Sequence, residues 1–187
     1  MIITTSPQGD GRGIDFFLEF ITTDDYNEIR NGGKEVNEMM KDERNYHQRL
    51  QELIDCFMET DPKSELEKAS KGVIGVPGGD PDELALKFLG LEIFYGATER
   101  ARNISLQRAK DGKILFTVES RGKYQLPPPK ADVADRIISI ARSITHIDAD
   151  QGKEPVSVGI RNDRMDITFQ FLRKGQEESF LIHFPEL

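Results

Sequence analysis

The chain has 187 residues, of which 37% are hydrophobic and 31% are charged, so it is long enough for one or two small domains with a lean core. Its 33 acidic and 25 basic side chains give a net charge of −8, which disfavours general binding to nucleic acids or to anionic membranes. One cysteine, Cys56, excludes an internal disulfide, and neither an apolar run of bilayer length nor a secretory signal is present, so we expect a cytoplasmic protein with no membrane insertion.

The charge is distributed unevenly along the chain. Residues 1–90 carry 19 acidic and 10 basic side chains, whereas residues 91–187 carry 14 and 15. A turn-rich stretch, GVIGVPGGD, separates the two parts at residues 72–80 and has the composition of a hinge. The pattern predicts an acidic, mostly helical segment with a flexible start over residues 1–79 and an α+β domain over residues 80–187.

Residues 34–60 have the periodicity of an amphipathic helix. The helix either packs on its own domain or offers its apolar stripe to a partner helix, for example in a homodimer. The candidate interaction residues on this stripe are Met39, Tyr46, Leu50, Leu53 and Phe57. Pro62 to Lys71 is predicted to form a second, short polar helix.

The C-terminal part opens with a strong helix signal. Asp80 is a good N-cap, Pro81 suits the first helical position, and Glu83 would complete a capping box, with the helix running to about Arg100. A second amphipathic helix is predicted at residues 131–145, after a stiff connector at Leu126–Pro129.

Period-two alternation predicts five strands around these helices. They lie near residues 104–106, 114–118, 156–161, 165–172 and 179–184. Short turns join neighbouring strands and imply antiparallel pairing. The expected fold class is therefore α+β, a mainly antiparallel five-stranded sheet with helices on one side, preceded by a mostly helical N-terminal segment.

Recognisable catalytic chemistry is sparse. The three histidines, His47, His146 and His183, are far apart in the sequence, and the chain has only one cysteine as a further ligand, so we expect no metal site. Cys56 lies in the middle of the predicted helix, where a buried inert thiol is the expected outcome. No phosphate-binding P-loop motif occurs. We therefore expect no cofactor, no catalytic residues and no enzymatic activity.

Residues 81–184 resemble the N-terminal subdomain of type II secretion and type IV pilus assembly ATPases. Where that family has a strand reading ASDIHIEP, this chain has ARNISLQR at 101–108, and ILFTVESRG at 114–122 occupies the place of the next strand. A proline connector and a helix follow, then MDITFQF at 165–171 and the turn KGQE at 174–177. The charged residues of the family's first strand are replaced by Asn103, Ser105 and Gln107.

This resemblance implies a scaffold that has lost its nucleotide face, since the family's ATPase domain has no counterpart here. We expect a non-catalytic interaction or regulatory module associated with secretion or pilus machinery, with such an ATPase as a partner. The alternative is a small-ligand or nucleotide-sensing domain, and an enzyme with an unrecognised site comes third. The candidate ligand-binding residues for a sensor are Arg121, Arg136, Arg161 and Arg164.

Overall fold

Four helices and six strands form the part of the chain that the computed structural model describes, residues 46–71 and 80–186. The helices are α1 (residues 46–57), α2 (Pro62–Ser70), α3 (Pro81–Thr98) and α4 (Ala131–Thr145). The strands are β1 (Asn103–Arg108), β2 (Ile114–Glu119), β3 (Lys123–Leu126), β4 (Gln151–Ile160), β5 (Asp163–Lys174) and β6 (Glu177–His183). The predictions made for residues 1–45, Met39 among them, and for the hinge at 72–79 lie outside the described residues.

The strands form one sheet in the order β3-β2-β1-β6-β5-β4, and every neighbouring pair is antiparallel. The α+β class and the antiparallel pairing are confirmed. The prediction of five strands is wrong, because β3 adds a sixth at the edge, with Lys123 opposite Glu119 and Leu126 opposite Phe116. This strand is only four residues long and runs directly into the prolines, so its sequence looked like a turn and connector.

Strand β4 is also longer than predicted. It starts at Gln151 instead of Val156, and Gln151 lies opposite Leu172 of β5. Its first residues are polar and mostly exposed, so they carry no apolar alternation. The backbone of β5 pairs with them all the same, since ladder hydrogen bonds do not depend on side chains.

One face of the sheet is buried and holds the hydrophobic core. Alternate residues of the strands point to it, and α3 packs there with the Phe88 ring 5.7 Å from that of Phe116. Helix α4 lies on the same side, where the Arg142 guanidinium covers the buried ring of Phe171 at 4.7 Å. Side chains on the opposite face are partly exposed.

Helices α1 and α2 share this core with the rest of the described chain. Leu50 and Ile54 of α1 have no exposed surface. They lie beside Gly90 of α3, where an added Cβ would meet side chains of α1 at 3.6–3.7 Å. All described residues belong to one compact unit by their contacts. The boundary predicted at residues 79 and 80 stays a prediction.

The start of α3 is capped more simply than predicted. Asp80 accepts a hydrogen bond from the backbone N–H of Asp82 at 3.0 Å, and Pro81 is the first helical residue, as predicted. Glu83 forms an ion pair with Lys87, 2.7 Å away, and makes no return bond to Asp80. The helix therefore begins with an aspartate cap and not with a capping box.

Candidate functional site

The partly exposed face of the sheet has an uncharged centre, which we name the central face. Antiparallel registers place eleven positions on it, contributed by β1, β2, β5 and β6. All are partly exposed, and none is Asp, Glu, Lys or Arg. They are Asn103, Ser105, Gln107, Leu115, Thr117, Thr168, Gln170, Leu172, Ser179, Leu181 and His183.

The lack of charge is confined to the middle of this face. Outward positions nearer the ends of the same strands are charged, at Arg164, Lys174 and Glu177 among others. Charges of both signs instead surround the central face, at Glu119, Lys123, Lys153 and Asp166. The surface therefore has a neutral centre and a mixed, charged rim.

A chain of side-chain hydrogen bonds crosses four strands of this face. The Asn103 amide donates from Nδ2 to Oε2 of Glu119 at 3.2 Å. Its Oδ1 lies 2.6 Å from Nδ1 of His183, and Nε2 of His183 lies 2.7 Å from Oε1 of Gln170. Because Glu119 orients the Asn103 amide, that amide presents its oxygen to the ring, and Nδ1–H of His183 is the donor.

The surroundings of the histidine ring shift its pKa. Partial burial, and then the positive charge of Lys153, lower the pKa of His183 below its ordinary value. Both ring nitrogens contact amide side chains. Within the described residues, His183 therefore has no free nitrogen for a hydroxyl or thiol nucleophile. This row of hydrogen-bonded side chains fixes the shape of the surface.

Sequence patterning did not single out this group. Alternation predicts that His183 and Asn103 point outward, but 80 residues separate them in the chain. Only the pairing of β1 with β6 brings them to the same row, and β5 then supplies Gln170. The signal available in the sequence was the run of uncharged outward positions at Asn103, Ser105 and Gln107.

The four candidate arginines lie on three separate parts of the molecule. Arg136 of α4 forms an ion pair with Asp82 of α3, and this pairing lowers the pKa of Asp82. Arg164 pairs with Asp166 at 3.1 Å. The structure brings Arg161 onto the same β4–β5 hairpin as Arg164, whereas Arg121 lies in the β2–β3 turn at the opposite edge of the sheet.

The predicted interaction stripe on α1 faces inward over its described length. Leu50 is fully buried, and Tyr46, Leu53 and Phe57 are partly buried against the core. That a partner helix binds the exposed remainder of this stripe stays a prediction.

The expectation of a buried Cys56 is wrong, because that thiol is exposed. Cys56 follows the buried Ile54 by two positions, about 200° around the helix, and so faces solvent.

Helix α1 also covers one edge of the sheet. The side-chain amide of Gln51 bonds the backbone of Gly159 in β4 twice, accepting from its N–H at 2.7 Å and donating to its carbonyl at 3.0 Å. Nε2 of His47 lies 3.0 Å from the carbonyl oxygen of Ser157. These contacts occupy backbone groups that an added strand would need. The face of the sheet is therefore more open to a partner than this edge.

A second feature adjoins the central face at the end where α3 stops. A cleft of about 520 Å³ lies beside Asn103 and His183, and Arg100 and Arg102 also line it.

Among the described residues, no group of three or more His, Cys, Asp or Glu side chains is arranged to hold a metal ion. Over the same residues, no helix has the length and apolar character needed to cross a membrane.

Comparison with known proteins gives no relative from which to transfer a function. No protein-family model matches the chain, and no curated protein matches it significantly. The resemblance to secretion and pilus ATPases stays a prediction from the motifs quoted above.

Proposed function

We propose that this protein is a non-catalytic interaction module whose central face docks a partner protein. The observation that carries the proposal is the uncharged, hydrogen-bonded centre of that face. The cores of protein interfaces are depleted in charged residues because burying an unpaired charge is costly. Side chains already held by neighbours also lose little freedom on binding.

The size of the surface sets the expected strength of binding. Four strands at about 4.8 Å spacing and five residues at about 3.4 Å each give a neutral patch of roughly 300 Å². A standard interface buries about 800 Å² on each partner, so the charged rim must also make contact. We therefore expect modest, reversible binding, with Glu119, Lys123, Lys153 and Asp166 helping to orient the partner.

A secretion or type IV pilus ATPase is the first partner to test, because of the resemblance described above. A second copy of this chain is the other candidate, which would make a homodimer across the same face. The proposal places the protein in the cytoplasm and requires no cofactor, metal or catalytic residue. The alternative function, a small-ligand or nucleotide-sensing domain, would use the cleft beside Asn103 and His183.

The test compares one substitution on two sides of the molecule. Ser105→Arg places a charge at the middle of the central face, while Ser139→Arg adds the same charge at an exposed position of α4. Binding to the purified ATPase, or self-association, is measured by calorimetry and light scattering. We expect Ser105→Arg to weaken binding at least about tenfold, since it buries an unpaired charge. Equal effects of the two variants would reject the proposal.

A further inference from the structure

A cleft at one end of the sheet combines unpaired positive charge with an apolar wall. It has a volume of about 520 Å³. Arg100, Arg102, Asn103 and His183 supply polar groups, and Met165, Phe184 and Pro185 supply apolar surface. This volume lies in the range of small-molecule sites.

The two arginines of the cleft differ from most arginines of the described chain. Arg49, Arg108, Arg136, Arg142, Arg164 and Arg173 each form an ion pair with a carboxylate. Neither Arg100 nor Arg102 does so in the part of the chain that the structure describes. Glu186 also lines the cleft but lies outside ion-pair distance of both guanidinium groups. Their charge is therefore free to bind an added anion.

The backbone at Arg100 adds an independent observation. Helix α3 ends in a Schellman motif, in which the N–H of Ala101 bonds the carbonyl of Gly96 at 2.8 Å and the N–H of Arg100 bonds that of Ala97 at 3.4 Å. Arg100 occupies the left-handed position of this motif, with φ of 49°, where glycine is the preferred residue. The chain tolerates a strained arginine at a point where its side chain borders the cleft.

We propose that this cleft binds a small organic anion, with a phosphate or carboxylate group held by Arg100 and Arg102 and an apolar body against Phe184 and Met165. Guanidinium groups bind both kinds of anion through paired N–H donors. The Asn103 amide and the His183 ring border the same space, where their hydrogen bond to each other holds the wall of the cleft in place. The proposal does not depend on the central face binding a protein.

Arg100→Gly is an informative variant because it removes the guanidinium and relaxes the left-handed backbone at the same position. The probes are phenyl phosphate, benzoate and inorganic phosphate, each titrated into the full chain while NMR signals are followed. We expect saturable shifts of the Arg102 backbone and His183 ring signals. Phenyl phosphate should bind more tightly than inorganic phosphate, and benzoate against phenyl phosphate distinguishes a carboxylate from a phosphate ligand.

The variants separate a binding role from a structural one. Arg100→Gly should raise the melting temperature and weaken phenyl phosphate binding at least tenfold, and Arg102→Gln should weaken it similarly. Lys113→Gln, which removes an exposed positive charge from the β1–β2 turn, is the control and should bind normally. Absence of saturable shifts with all three probes would overturn the proposal, as would unchanged binding in both cleft variants.

Discussion

Glu92 is the most unusual buried group of the described chain. It lies four residues from Phe88 and four from Gly96 along α3, so it shares their face of the helix, which is packed on the sheet at Phe116 and Ile104. Its carboxyl is completely buried, and neither oxygen has a hydrogen-bond partner. Burial raises the pKa of Glu92 well above its ordinary value, because it disfavours the charged carboxylate.

This burial couples folding to pH with a definite sign. The unfolded chain releases the proton near pH 4.5, whereas the folded chain retains it to a higher pH. Between these two values the folded state binds more protons, so the free energy of unfolding falls as pH rises, by up to about 1.4 kcal/mol per pH unit. The buried carboxyl therefore costs the folded state stability as the pH rises above 4.5.

Two substitutions divide this cost into its parts. Glu92→Gln removes the titration but keeps a buried polar group, so we expect the pH dependence in this window to flatten. Glu92→Met is close in volume and fully apolar, so it should also recover about 1–3 kcal/mol of desolvation at pH 5. Stability is measured by urea unfolding at pH values from 5 to 8. If the free energy of unfolding changed with pH equally in the wild type and in Glu92→Gln, the reasoning would be refuted.

Three further predictions concern packing and charge. Gly90→Ala should stabilise the protein by about 0.5–1 kcal/mol in thermal unfolding, because the added Cβ has room. Gly96→Ala should cost about 1–3 kcal/mol, because the added Cβ would overlap the Phe184 ring and lie 2.9 Å from Ile104; the opposite order would contradict the packing described. Arg142→Lys should lower the free energy of unfolding in urea by about 1–3 kcal/mol, because lysine cannot replace the guanidinium that bonds Glu178 at 3.1 Å and two loop carbonyls. An unchanged free energy of unfolding would show that these bonds do not stabilise the fold. In the Glu92→Gln background, the free energy of unfolding should fall as the pH drops from 6.5 towards the lowered pKa of His183 in the folded state. His183→Gln should remove this fall, and its persistence would assign it to another group.

The sequence predicted most of the secondary structure because apolar periodicity and capping residues are local. Helix α4 was predicted at its observed bounds, and α3 was predicted from Asp80 and Pro81. Strand β3 was missed because its four residues sit beside a proline run, and the start of β4 was missed because its side chains are polar and exposed. Backbone pairing determined both.

The candidate site was less accessible to sequence reasoning. The central face depends on the register between β1, β5 and β6, and register is a property of distant segments. Likewise, the cleft brings Arg100 and Arg102 to Phe184 only because the last strand pairs with β1. Glutamate usually lies at the surface, so no local sequence pattern predicts that Glu92 is buried.

Site-specific photo-crosslinking tests the central claim most directly. A benzophenone amino acid is placed at Leu181 in the middle of the central face and, separately, at Ser139 on α4. Each protein is irradiated with the purified secretion or pilus ATPase, and also alone to detect crosslinking to a second copy. The account predicts a crosslinked product from position 181 and none from position 139. Crosslinking from position 139 without any from position 181 would contradict the claim that the central face binds the partner.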